Sequence, residues 1–293
     1  MGKRARSRLP NLQPSIYNRE FMDTAQIAAL LEPFLTAPIP TSREDTPPAH
    51  CHSESGQRPG EACPERSRRE PAVPSPADDR RLTTDDLHHI STYIDLLQRW
   101  NSRINLTAIR TPEEIVTRHF GESLFAARCL FPNSSAPSVS SALKAVEVAD
   151  IGSGAGFPGI PIKLWVPDIH LTLIESNHKK AAFLREVARA LTLTNVNVQT
   201  ARAEDLAQSR QDAATPPAFD VVTLRAVERF DAILSVAGSL VAPRGRLALL
   251  ISSAQALSGR LSMPDLAHPF AWSNPFAIPL SKSRMVVIGT RAP

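Results

Sequence analysis

No run of 18 apolar residues occurs in the 293-residue chain, which excludes a membrane-spanning helix. No apolar segment follows the four basic side chains of the first ten residues, so neither a signal peptide nor export is expected. Cysteine is scarce. Cys51, Cys63 and Cys129 form an odd, scattered set, which points to a reducing compartment and hence to a cytoplasmic protein. Aromatic residues are few, at 5%, yet 42% of the chain is hydrophobic and 21% charged, the balance of a globular protein.

One stretch lacks core-forming residues altogether. Residues 40–81 contain eight prolines and fifteen charged side chains, with Val73 as the sole branched aliphatic. Such a segment cannot bury enough apolar surface to offset its conformational entropy, so it is expected to be a disordered insertion. His50, Cys51, His52 and Cys63 lie in it at a spacing that fits no zinc-finger pattern, and no metal is expected. The net charge of +4 sits in the N-terminal tail and the C-terminal half, which permits a nucleic-acid partner without requiring one.

The rest of the chain is patterned. Apolar residues from Ile27 to Leu35 recur at helical spacing. Thr84, as an N-cap, precedes a helix with Leu87, Ile90, Tyr93, Ile94, Leu97 and Trp100 on one face, and Pro112 can open another that runs to about Cys129. Beyond residue 145 short apolar runs alternate with amphipathic segments: Val146–Ile151, Leu171–Ile174, Val196–Val198, Phe219–Leu224, Arg246–Ile251 and Met285–Gly289 read as strands. That alternation predicts an α/β fold, a mostly parallel sheet with helices on both faces, whose ligand sits where strands end. The expected organisation is a tail and short helix over 1–39, the insertion over 40–81, a helical extension over 82–144, and the sheet domain over 145–293.

The chemistry is concentrated after the first strand, in Asp150-Ile151-Gly152-Ser153-Gly154-Ala155-Gly156-Phe157-Pro158-Gly159. Glycines at alternate positions let the backbone turn tightly beneath a ligand. Asp150, ahead of the first glycine, would repel a pyrophosphate but can pair with a cationic α-amino group. A competing frame, Gly154 to Gly159, matches the G-x-G-x-x-G dinucleotide signature. Glu175 closes the second strand where an acid accepts ribose hydroxyls, and Ala203 with Glu204 follows the third, where an adenine edge could be met. Together these acids describe S-adenosylmethionine better than a nicotinamide cofactor.

From about Leu82 to Leu250, and more weakly to Pro293, the chain resembles the RsmG family, also called glucose-inhibited division protein B. The resemblance is carried by Trp100-Asn101, Asn105-Leu106-Thr107-Ala108-Ile109, His119-Phe120 with Ser123-Leu124, Asp150 to Gly154, Phe157-Pro158-Gly159-Ile160-Pro161 and Arg225-Ala226-Val227. It implies a Rossmann-like class I methyltransferase sheet and methylation of 16S ribosomal RNA, as free RNA or in the small subunit. It also implies that Gly152, Phe157, Glu175, Ser176, Asn177, Ala203, Glu204 and Arg225 serve the cofactor, with Arg225 also facing the methyl group and the incoming base as the catalytic residue; Asp150 and Gly154 of the same loop are expected to join them. A monomer with no membrane and no metal is expected. Two departures stand out: Gly121-Glu122 where the family usually has an aspartate, and Leu250-Ile251-Ser252 in place of a lysine-glycine pair.

Some targets are excluded by the residues themselves. The fourth strand ends in Leu224-Arg225-Ala226-Val227, not the Asn/Asp-Pro-Pro-aromatic turn of amino-methylating enzymes. All three cysteines precede residue 145, so a cytosine-C5 nucleophile is missing from the sheet domain. Guanine N7 carries no proton and needs no base, which agrees with the family's product, 7-methylguanosine in the 530 loop. Two alternatives stay open at this point: a same-fold methyltransferase of a protein or metabolite, and a nicotinamide-binding oxidoreductase using the shifted glycine frame.

Overall fold

The computed structural model describes residues 22–39, 81–132, 145–211, 218–225, 230–257 and 270–293. The 40–81 insertion lies outside these, except for Arg81 at its edge, and so do its Cys/His residues.

Strands β1 (Glu147–Ile151), β2 (His170–Ile174), β3 (Val196–Gln199), β4 (Phe219–Arg225) and β5 (Val241–Ser252) form the parallel part of one sheet. Beyond them come β6 (Phe270–Trp272), β7 (Phe276–Ala277) and β8 (Arg284–Arg291). The spatial order is β3-β2-β1-β4-β5-β8-β6, with β8 antiparallel to β5 and β7 pairing with β8. The expectation of a last strand near Met285–Gly289 holds, and its antiparallel direction comes from the hairpin-like returns of β6 and β7. The Leu250-Ile251-Ser252 departure lies inside β5, paired with Val286, Met285 and Arg284.

Alternation along the strands feeds two cores. In β5, Leu247, Leu249 and Ile251 point to one face and Ala248 and Leu250 to the other, all buried. The first face is covered by α7 (Ala203–Gln211) and α8 (Phe230–Ser239), the second by α5 (Gly159–Trp165) and α6 (His178–Ala190). Each fully buried Leu or Ile contributes about 1.5–3 kcal/mol, so a strand used on both faces is anchored twice.

The helical extension packs on the second face. α1 (Thr24–Thr36) starts at Asp23, which closes a capping box with Gln26 and buries Ile27, Leu31 and Phe34. α2 (Thr84–Asn101) begins one residue earlier than its sequence suggests. Thr83, not Thr84, is the cap, because Asp86 then sits at the third helical position and accepts the Thr83 N–H at 2.9 Å. α3 (Pro112–Glu114) has Pro112 in its first turn after the Thr111 cap and continues through a π-helical segment, Ile115–Gly121, into α4 (Glu122–Leu130). Gly121 is where α1 docks: a Cβ there would lie 2.6 Å from Phe34 Cδ2. Arg128 in α4 donates to the Phe34 and Ala37 carbonyls at 2.9 and 3.0 Å, satisfying the end of α1. Gly121, the first residue of the Gly121-Glu122 pair, is thus a packing position for α1.

Candidate functional site

A cleft of about 640 Å³ opens at the carboxyl ends of β1, β2 and β4, beside the point where strand order reverses. The three glycines beneath it have φ of 66°, 56° and 88° at 152, 154 and 156, a region only glycine enters freely. They do different work. A Cβ on Gly154 would meet nothing nearer than the Gly152 carbonyl at 3.7 Å, so the loop faces open space. A Cβ on Gly156 would collide with the Tyr93 hydroxyl and with Ile160 Cδ1, so this glycine admits α2 beneath the loop. The Tyr93 hydroxyl donates to the Ala155 carbonyl and fixes the loop from below.

The expected site residues divide into two groups. Gly152, Gly154, Phe157, Glu175, Ser176, Asn177, Ala203, Glu204 and Arg225 all line the cleft. Asp150 does not. It is buried under the loop, where one oxygen accepts the Gly159 N–H at 3.2 Å and the other the Thr223 hydroxyl at 2.7 Å. The expected direct pairing with an α-amino group gives way to a bracing contact, since the side chain stands on the α5 face of the sheet, against Gly159, and does not line the cleft. Burial pushes its carboxyl up from 3.8 to about 6. Glu175 is also buried, and its two oxygens accept the Gly154 and Asn177 N–H groups at 2.9 and 2.8 Å. Each oxygen keeps a lone pair, enough for a hydroxyl donor from the cleft.

The shifted dinucleotide frame fails on this geometry. Its later glycines are packing positions: Gly156 lies against Tyr93, and Gly159 against Leu173 and Asp150. The Gly154, Gly156 and Gly159 N–H groups already bond Glu175, the Ser153 carbonyl and Asp150, so the glycines of this frame offer none to a pyrophosphate.

At the far end of the cleft Arg225 is held on several sides. Its guanidinium donates to His119 Nδ1 at 3.1 Å, to Glu122 Oε2 at 2.8 Å and to the Arg118 carbonyl. Glu122 also faces Arg284 Nε at 2.9 Å. Burial pushes Arg225 down to about 10, against the opposing pull of Glu122. His119 stacks on Phe157 with centroids 4.7 Å apart, and Phe157 stacks in turn on Tyr93. Burial, and then the Arg225 charge, lower His119 to about 2, so the ring is neutral at any working pH. Glu122, His119, Thr107, Lys180 and Arg284 belong to this site or its support without having been given a role from sequence. Only the fold brings the π-helical segment, β4 and β8 to one point.

The asparagine-leucine-threonine segment also finds its reason. Asn101 Oδ1 accepts the Leu106 and Thr107 N–H groups at 2.9 and 3.1 Å, and its Nδ2 donates to the Thr107 carbonyl at 2.9 Å. One buried amide thereby clamps the loop that carries Thr107 to the cleft wall.

A parallel five-strand core with an antiparallel strand inserted at one edge, and a glycine-floored cleft with an acid closing the second strand, define a Rossmann-like methyltransferase fold. Residues 86–258 match the family described as rRNA small subunit methyltransferase G, GidB. The chain is similar to ribosomal RNA small subunit methyltransferase G of Roseiflexus castenholzii, 35% identical over 71% of this chain and 84% of that protein. It is also similar to the proteins of that name from Xanthomonas axonopodis pv. citri and Desulfitobacterium hafniense. These are 42% and 39% identical over 53% and 56% of this chain, which spans 64% and 62% of their lengths. The chain belongs to the rRNA small subunit methyltransferase G family.

Proposed function

We propose that this protein transfers a methyl group from S-adenosylmethionine to N7 of a guanine in small-subunit ribosomal RNA, in the 530 loop of the 16S molecule. The observation that carries the reading is the cleft of a family member whose glycine floor is open while its buried acid, Glu175, retains acceptor capacity. We assign Gly152 and Gly154 to the close approach of the methionine part, Glu175 with Ser176 and Asn177 to the ribose, and Ala203 with Glu204 to the adenine. Phe157 and Arg225 form the wall at the methyl-transfer end. Asp150 serves the same site from beneath, by holding the Gly159 N–H. With ribosomal RNA as its substrate, the protein acts in the cytoplasm.

When bound, S-adenosylmethionine supplies an electrophilic methyl group. Guanine N7 offers an unprotonated lone pair, so the protein's residues have no proton to remove. Their task is in-line positioning and electrostatics. Arg225 cannot act as a base, and with bonds to His119, Arg118 and Glu122 already in place its fork is largely committed. It orients the stacked His119–Phe157 wall. The exposed Arg118 and Arg202 at the rim suit RNA phosphates.

The test is to incubate the protein and labelled S-adenosylmethionine with small-subunit particles lacking the modification, then map products by mass spectrometry. A single 7-methylguanosine in the 530 loop is expected. Methylation of another atom, or of ribosomal protein instead, would overturn the assignment.

A further inference from the structure

We propose that the Thr107 hydroxyl selects guanine at the target position by donating a hydrogen bond to its O6, in an orientation imposed through His119 by Arg225. The inference rests on the guanine-N7 reading above and names the group that enforces it.

The orientation follows from counting donors and acceptors. A guanidinium has donors only, so the 3.1 Å contact from Arg225 requires His119 Nδ1 to be the acceptor. In a neutral ring the proton must then be on Nε2. His119 Nε2 lies 2.8 Å from Thr107 Oγ1, so it donates to that oxygen. The Ile109 N–H donates to the same oxygen at 3.1 Å. A hydroxyl has two lone pairs and one proton, and both lone pairs are now used. The proton has no acceptor among the described residues, and Thr107 lines the cleft. Thr107 therefore presents a donor and nothing else.

That restriction discriminates between purines. Beside N7, guanine carries the O6 acceptor, whereas adenine carries an N6 amino donor. An ordinary threonine could turn to suit either. Here, turning would cost the hydroxyl its bonds to His119 and Ile109. Bonding at O6 also leaves the N7 lone pair free for the methyl group. The Asn101 clamp fixes the Thr107 backbone, and the Phe157 stack fixes the His119 ring, so both ends of the relay are held.

The test compares wild type, Thr107→Val and Thr107→Ser on small-subunit particles assembled with 16S RNA carrying guanine or 2-aminopurine at the target. 2-Aminopurine keeps N7 and lacks O6. On guanine, T107V should lose about tenfold to a hundredfold in kcat/KM, the scale of one lost hydrogen bond to a buried partner, and T107S should recover most of it. On 2-aminopurine, wild type should already be slow and T107V should lower it no further. Equal losses by T107V on both substrates would reduce Thr107 to a structural residue and overturn the proposal while leaving the N7 reading intact. A wild-type protein that methylates no guanine would bring down both. Independently, nitrogen NMR of the free protein should find His119 with its proton on Nε2, and the Nδ1–H tautomer would overturn the relay.

Discussion

Replacing Glu122 by glutamine tests the support of the whole far wall. Oε2 of Glu122 faces two guanidiniums, Arg225 at 2.8 Å and Arg284 at 2.9 Å, with side-chain exposures of 3%, 7% and 24% respectively. The substitution keeps the shape and one acceptor but leaves two cations with no paired anion among the described residues. Breaking a buried pair costs about 3–5 kcal/mol. The amide oxygen can still accept one bond, and Arg284 is partly hydrated, so the lower end, about 3 kcal/mol, is expected. For a fold of this size that lowers the melting temperature by about 6–12 °C. Urea unfolding followed by circular dichroism would measure the first quantity, and a thermal scan the second. In an Arg225→Met background the same change should cost less, because one of the two stranded charges is gone. A loss below about 1 kcal/mol for E122Q would place the cluster with surface ion pairs and refute the idea that it fixes Arg225 and the His119 wall.

Two further outcomes follow from the glycine loop. Gly152→Val puts a β-branched side chain at φ 66° on the open floor of the cleft, and calorimetry should show at least a thirtyfold weaker affinity for S-adenosylmethionine, about 2 kcal/mol. Unchanged affinity would make the loop a mere turn. Asp150→Asn should alter the pH dependence of stability. The native carboxyl titrates near 6 and an unfolded one near 3.8, so the unfolded chain loses its proton first, and the wild type loses about 3 kcal/mol as pH rises through that window. The asparagine variant should lack this fall, since its amide can accept from Gly159 and donate to the Thr223 oxygen. Parallel stability curves for the two proteins between pH 4 and 6.5 would refute the buried-carboxyl account.

Elements whose signals are local can be read from the residues alone. Apolar periodicity at 3.6 marks α2, since Ile90, Tyr93, Ile94 and Leu97 face one core whatever surrounds them. Apolar runs ending in glycine or an acid marked β1 and β2, and the Gly152 loop and Glu175 were legible because turn chemistry and strand ends leave their own residue types. What failed locally were choices settled by contacts from far along the chain. The π-helical turn at Ile115–Gly121, the role of Gly121 as a seat for Phe34 and the antiparallel entry of β8 carry no signal within their own segments. Asp150 shows the limit most clearly. Its place before the first glycine is visible in the sequence, but whether its carboxylate meets a ligand or the Gly159 N–H depends on side-chain direction, which alternates along a strand and is fixed only when neighbours pack. The same holds for Thr107, His119, Glu122 and Arg225. These four lie as much as 118 positions apart, and the hydrogen-bond roles that give them their chemistry exist only once the sheet and the helices have brought them within 3 Å or so of one another.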